Sequence, residues 1–200
     1  MNLAATHPQL VNFKISAERF LKVLHGLGIE YAMIGAFPAS FYGNPRLTQD
    51  LDFTSDPEKV AGNFPELIQE LEKEGFLLVS TRPTIEELKT FTSLRFIDLR
   101  KKTFIDLVLH PKGFRWDSEF LKRRRKEKIL PGKIRIWCVS IEDLIVMKIA
   151  NGEPQDYKDL EGILSRRFNE IDWNYLRKRS REFGLNEHID EVYKRFSLTK

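Results

Sequence analysis

The sequence predicts a mixed α/β (α+β) fold, with a mixed-sheet domain over residues 1–139 and a helical C-terminal region over residues 140–200 packed against it. Three observations carry this expectation. Short apolar runs bounded by Gly, Pro or Asn alternate with stretches of helical periodicity as far as Val139. From Ser140 onward the periodicity is helical almost to the end. No Pro- or Ser-rich linker separates the two parts, so they should share an interface.

Each element follows from local chemistry. Ser16 reads as an N-cap, with Phe20, Val23, Leu24 and Leu27 at helical spacing until Gly28 ends the run. Tyr31 to Ile34 is a short apolar strand bounded by Gly35, and a short helix through Ser40 and Phe41 should stop at Gly43-Asn44-Pro45. Leu51-Asp52-Phe53 continues as a second strand. Asp56-Pro57-Glu58 opens a helix with proline at its first position, and Pro65 restarts one whose stripe is Leu67, Ile68 and Leu71, closed by Gly75. Phe76 to Ser80 is a strand, and Thr92 to Leu99 with Thr103 to Leu109 form a hairpin around Arg100-Lys101-Lys102. A basic helix from about Asp117 and a strand from Lys133 to Val139 complete the sheet part. Ser140-Ile141-Glu142-Asp143 has capping-box spacing; a turn at Asn151-Gly152 follows, with helix restarts at Pro154, Asp172 and Asn186.

Composition narrows the function classes. The chain of 200 residues is 42% hydrophobic and 31% charged, the balance of a soluble globular protein. At that length roughly 70% of the unfolded surface can be buried without a disulfide or structural metal. Cys138 is the lone cysteine and sits in the apolar run Ile134 to Val139, so it reads as a buried structural thiol. No stretch is long enough to span a bilayer, and Met1 to Pro8 lacks a basic start and an apolar signal core; a cytoplasmic protein is expected. The net charge of +4 is concentrated in Lys122-Arg123-Arg124-Arg125-Lys126 and in Arg177-Lys178-Arg179 with Arg181. These clusters are either solvated helix faces or a track for an RNA backbone. The P-loop, C-x-x-C and G-x-S-x-G patterns are absent, which removes support for P-loop, zinc and serine-hydrolase chemistry. His7, His25, His110 and His188 show no ligand spacing, and only His110 falls near the acids discussed next.

The informative stretch runs from Ile34 to Phe53. Residues two apart on a strand share a face, so Asp50 and Asp52 project together, about 6.7 Å apart along the strand. At an effective dielectric near 20 they repel by roughly 2–3 kcal/mol, a cost that a bridging cation removes. Magnesium carried by a triphosphate suits such a pair, because it needs few protein carboxylates beyond phosphate oxygens. A solvated strand end is the plainer alternative. Gly35, where a strand opens into a helix, offers free backbone N–H groups and lets a phosphate approach; a simple turn would also use glycine there.

Together, Gly35, the Tyr42-Gly43 turn and Arg46-x-Thr48-x-Asp50-Leu51-Asp52 resemble the nucleotidyltransferase superfamily, with its DNA polymerase beta-like fold. More narrowly they resemble its branch related to AbiEii-type toxins. Phe104 to Leu109, with Asp106, looks like the strand bearing the third carboxylate; Glu142-Asp143-Leu144, Lys148 and Asp156 to Leu160 look like the helical motif that follows. The resemblance spans about Ile34 to Leu164.

The resemblance implies metal-dependent transfer of a nucleoside monophosphate from a nucleoside triphosphate (NTP) to a hydroxyl acceptor. Asp50, Asp52 and Asp106 would be the catalytic carboxylates and would hold Mg2+ (or Mn2+) in a two-metal in-line displacement, Asp106 favouring deprotonation of the attacking hydroxyl. Gly35, Ala36, Arg46 and Lys148 would bind the nucleotide. Asp98 is the rival third acid; it lies nearer the hairpin tip, where a solvated role is ordinary. Lys148 could instead snorkel to water, and Asp156 and Asp159 could pair with Lys148 or with Arg46. Two departures stand out. Ala36 replaces the second Gly or Ser of the family pattern, with Ser40 one turn on, and Glu153 stands where an arginine is common. The competing reading is a non-catalytic nucleotide- or RNA-binding member of the same fold. RNA such as a tRNA end is the partner that the basic clusters offer, and an antitoxin is the one that the toxin members of the resembled branch imply.

Overall fold

The computed structural model describes residues 8–197. His7 and the rest of the Met1–Pro8 segment before Pro8 lie outside the described residues. The chain runs α1 (Pro8–Gly26), β1 (Tyr31–Met33), α2 (Ala36–Tyr42), β2 (Asp50–Ser55), α3 (Pro57–Gly62), α4 (Phe64–Lys73) and β3 (Phe76–Leu78). It continues with β4 (Ser93–Asp98), β5 (Thr103–Val108), α5 (Ser118–Arg123), β6 (Arg125–Glu127) and β7 (Ile136–Cys138). Four helices follow: α6 (Ile141–Asn151), α7 (Pro154–Arg167), α8 (Trp173–Glu182) and α9 (Asn186–Ser197). No helix among the described residues is long and apolar enough to cross a membrane.

The seven strands form one mixed sheet in the order β3-β4-β5-β2-β1-β7-β6. β2 and β5 run parallel, with Asp52 opposite Asp106. Strand alternation then sorts the two faces. Leu51, Phe53, Ile105 and Leu107 are fully buried and join Phe20, Phe76 and Phe96 under α1 and α4. Burying each such side chain contributes about 1.5–3 kcal/mol. A slip of one residue in β2 would push Leu51 and Phe53 out of that layer, so the register is strongly specified. The alternate residues, Asp50, Asp52, Phe104 and Asp106, therefore face the other way. On that opposite side Ala32, Ile34 and Val139 pack with Leu144, Ile145, Leu160 and Ile163 of the C-terminal helices. The acids thus point to the side of the sheet on which those helices sit.

Most elements form where local chemistry places them. Asp56 caps α3 and Pro57 begins it, Asp172 caps α8, and Ser140 accepts the backbone N–H of Asp143 to cap α6. The β4–β5 turn has no glycine; Lys102 takes a φ of 52° while Asp98 accepts the N–H of Arg100.

Several expectations need correction. α1 begins at Pro8, not Ser16, because Leu10 and Phe13 extend the apolar stripe backwards. Ser16 is buried within the helix and donates to Oδ2 of Asp98 at 2.7 Å. Asp98 is not solvated: it is fully buried and ion-paired with Arg19 at 2.9 Å. The basic helix starts as expected, with Asp117 capping Phe120, but stops at Arg123. Arg125 to Glu127 then form an edge strand, because Arg124 and Lys126 both lie over the ring of Trp137 on β7. Three flanking strands are shorter than expected, β7 covering only Ile136–Cys138, β3 only Phe76–Leu78 and β1 only Tyr31–Met33. Cys138 is buried, and burial pushes its thiol well above the usual range.

Candidate active site

The parallel register of β2 and β5 puts Asp106 beside Asp52, and the two-residue strand period puts Asp50 on the same face. One oxygen from each of Asp50, Asp52 and Asp106 lies within 4.8 Å of the other two. Such close carboxylates resist full ionisation. Burial, then the charges of Asp50 and Asp106, push Asp52 up to about 7, against the pull of the Ala36 N–H and Lys148. Burial raises Asp106 as well, with Arg95 opposing and Asp50 adding to the shift. The donor set is entirely oxygen, which suits Mg2+ or Mn2+ and not a thiolate- or imidazole-preferring ion.

Gly35 supports this arrangement directly. Its φ is 72°, and a Cβ built there would come within 2.1 Å of Oδ2 of Asp52. No larger residue fits without displacing that carboxylate. The next residue, Ala36, begins α2 and donates its N–H to Asp52. Where an approaching phosphate was expected at Gly35, the close contact in this structure is with Asp52 itself.

Asp50 is held by two groups. Thr48 Oγ1 donates to its Oδ1 at 2.9 Å, and Arg95 Nη2 donates to its Oδ2 at 3.2 Å. The Arg95 Nε also approaches Oδ1 of Asp106 at 3.6 Å. Sequence reasoning missed Arg95. Alternation on β4 puts it on the face opposite the buried Leu94 and Phe96, but only the hairpin register, which pairs Arg95 with Asp106, brings it to the acids.

The remaining expected binding residues form a buried network next to the acids. Lys148 is 7% exposed at its side chain and reaches Asp156 Oδ1 at 2.5 Å and Asp159 Oδ2 at 2.7 Å. Arg46 grips Asp159 through two nitrogens at 2.9 and 3.1 Å, while its own backbone N–H meets the Ser40 hydroxyl. This ties the Gly43–Gln49 loop to α7. Burial would raise Asp159, yet Lys148, Arg46 and Gln155 together hold it below the usual carboxylate range. Lys148 and Asp156 still line a cavity of about 320 Å3 together with Gly35, Asp52 and His110. A second, largely apolar cleft of about 470 Å3 lies across α2, lined by Phe13, Phe37, Arg46, Leu47 and Thr48. Glu153 is the N-cap of α7, in a reciprocal capping box with Asp156.

The basic clusters are less available than their sequence suggests. Arg179 is 2% exposed and pairs with Asp117, Glu182 and Asp143. Arg123 meets Asp172 and Glu142, Arg124 meets Glu30, and Arg177 meets Asp190.

The family model of nucleotidyltransferases of unknown function (DUF6036) matches residues 41–198. Among solved structures the chain is similar to the antibiotic-resistance factor ANT(2'')-Ia. Its solution structure aligns with a TM-score of 0.54 at 13% identity, over 96% of this chain and 99% of that one. The crystal structure of the same protein in complex with adenylyl-2''-tobramycin aligns at 0.53 and 12% identity, over 84% and 95%. An antigenic nucleotidyltransferase-like protein from Paracoccidioides brasiliensis aligns at 0.50 and 19% identity, over 81% and 76%. These likenesses show a shared nucleotidyltransferase fold, and none of the three names an AbiEii-type toxin. No curated protein matches the sequence.

Proposed function

The chain belongs to the DUF6036 family of nucleotidyltransferases, and we propose that it transfers a nucleoside monophosphate from an NTP to a hydroxyl acceptor. The observation that carries this reading is the convergence of Asp50, Asp52 and Asp106 within 4.8 Å beside a cavity. In the proposed reaction the acceptor oxygen bonds to the α-phosphorus, the bond to the β-phosphate oxygen breaks, and pyrophosphate leaves. Bound divalent metal would supply charge neutralisation for the phosphates and the attacking oxygen.

The chain's own residues divide the remaining work. Asp50, Asp52 and Asp106 would hold the metal, and Asp106 would favour deprotonation of the acceptor hydroxyl. Gly35 and Ala36 fix the Asp52 carboxylate, the one that α2 and the sheet bury deepest. Lys148 and Arg46 act through Asp156 and Asp159, locking the Gly43–Gln49 loop and the 140–200 helical region onto the 1–139 sheet region. The cavity beside Lys148 and His110 suits the nucleotide, and NTP and Mg2+ are both abundant in the cytoplasm where we place the protein.

A compact hydroxyl compound is the favoured acceptor, because Arg179, Arg123, Arg124 and Arg177 are engaged within the chain and lend little support to an RNA track. RNA or protein acceptors, and the toxin–antitoxin role that would use them, are the alternatives. Incubation with Mg2+ and α-labelled NTPs in the presence of an aminoglycoside panel, total RNA or total protein tests the reading. Label transfer by the wild type, lost in Asp50→Asn/Asp52→Asn, is expected. Absence of transfer to every acceptor would leave only a non-catalytic binding member.

A further inference from the structure

Arg95 and a metal ion would compete for the carboxylates of Asp50 and Asp106. The guanidinium lies 3.2 Å from Oδ2 of Asp50 and 3.6 Å from Oδ1 of Asp106. Among the described residues it is the only cation ion-paired with any of the three carboxylates. A divalent ion on those carboxylates would face this guanidinium at short range, like charge against like. The arrangement cannot persist unchanged when metal is held there.

Arg95 is built to move. Its side chain is 44% exposed, whereas Lys148 is 7% exposed and held by two aspartates. With its side chain this exposed, the ion pairs to the acids are weak ones, and giving them up costs little. Its Cζ stands 4.8 Å from the centre of the Phe104 ring, a face on which the guanidinium can pivot as it leaves the acids. A metal brought by an NTP arrives with phosphate oxygens, and the planar guanidinium fork matches phosphate better than any other side chain.

We propose that Arg95 exchanges partners on substrate binding: it yields Asp50 and Asp106 to the metal and turns its guanidinium onto the polyphosphate. Arg95 therefore opposes binding of the bare cation and favours binding of the cation–nucleotide complex. The triad becomes selective for metal that arrives with its substrate. This inference rests on the reading of the triad as an NTP site.

The test is calorimetric titration of the full chain with Mn2+ alone and with Mn2+ plus α,β-methylene-ATP. Arg95→Met is expected to bind Mn2+ alone about tenfold more tightly and the Mn2+–nucleotide complex about tenfold more weakly. Arg95→Gln, which keeps polar volume, should shift both affinities in the same two directions. Opposite signs on the two ligands cannot come from a fold defect, which weakens both. Weakening of both ligands, or no change in either one, overturns the proposal. The double variant Asp50→Asn/Asp52→Asn separates the two claims. If it binds Mn2+–nucleotide like the wild type, the triad reading fails. If it loses binding while the Arg95 variants match the wild type, only the partner exchange fails.

Discussion

A methyl group at Gly35 would lie 2.1 Å from Oδ2 of Asp52, so the strand-to-helix turn and the central carboxylate are shaped for each other. Gly35→Ala should therefore do more than strain a positive φ. It should drive Asp52 off its position and weaken Mn2+ binding by at least tenfold, with a loss of stability of about 1–3 kcal/mol. Mn2+ titration and urea unfolding of the variant check both. Gly28→Ala is the control: it carries the same kind of backbone strain (φ 65°) with open space around its Cβ, and should leave Mn2+ binding intact.

Lys148 is the hinge of the buried network, held between Asp156 and Asp159. Lys148→Met removes the shared cation and leaves the buried Asp156 without an ion-pair partner, since Arg46 still grips Asp159. The expected cost is about 3–5 kcal/mol in urea unfolding. A neutral result would mean that the network carries no weight in joining α6 to α7.

The same network sets a pH dependence. Despite burial, Lys148, Arg46 and Gln155 hold Asp159 below the usual carboxylate range. The folded chain therefore binds this proton less readily than the unfolded one. Its contribution to stability is present above the ordinary Asp range and is lost as pH falls through the depressed folded value. Comparing wild type with Asp159→Asn between neutral pH and about pH 2.5 should show the stability gap narrowing on acidification. A constant gap would contradict the assignment.

Arg179 tests the alternative reading of the second basic cluster. It is almost wholly buried and binds Asp117, Asp143 and Glu182. Arg179→Met should destabilise the fold by about 3–5 kcal/mol. Where the chain binds RNA at all, the dependence of that binding on salt should not change. A shallower salt slope in the variant would instead put Arg179 on a nucleic-acid surface.

What the sequence made legible follows the range of the physics. Asp50 and Asp52 could be placed on one face because a strand's period is local. The caps at Asp56, Ser140 and Asp172 were equally readable, each needing only a few neighbouring residues. Asp106 came from family resemblance, since nothing local says that β2 and β5 lie side by side in parallel. The misjudged contacts are non-local. Ser16 looked like a cap because its partner, Asp98, lies 82 residues away. Asp98 looked solvated because Arg19 and Ser16 reach it from a different element. The edge strand Arg125–Glu127 after the basic helix went unread because the indole that organises it, Trp137, sits on β7. Arg95 escaped notice because its face was predictable while its pairing with Asp106 was not.

In the proposed function Asp50, Asp52 and Asp106 jointly hold a divalent ion against the phosphates of an NTP. Anomalous diffraction from a crystal grown with Mn2+ and α,β-methylene-ATP tests it most directly. A manganese peak is expected within about 2.0–2.6 Å of oxygens from these three side chains and in contact with nucleotide phosphate. A peak at other side chains, or nucleotide bound away from the triad, would contradict it.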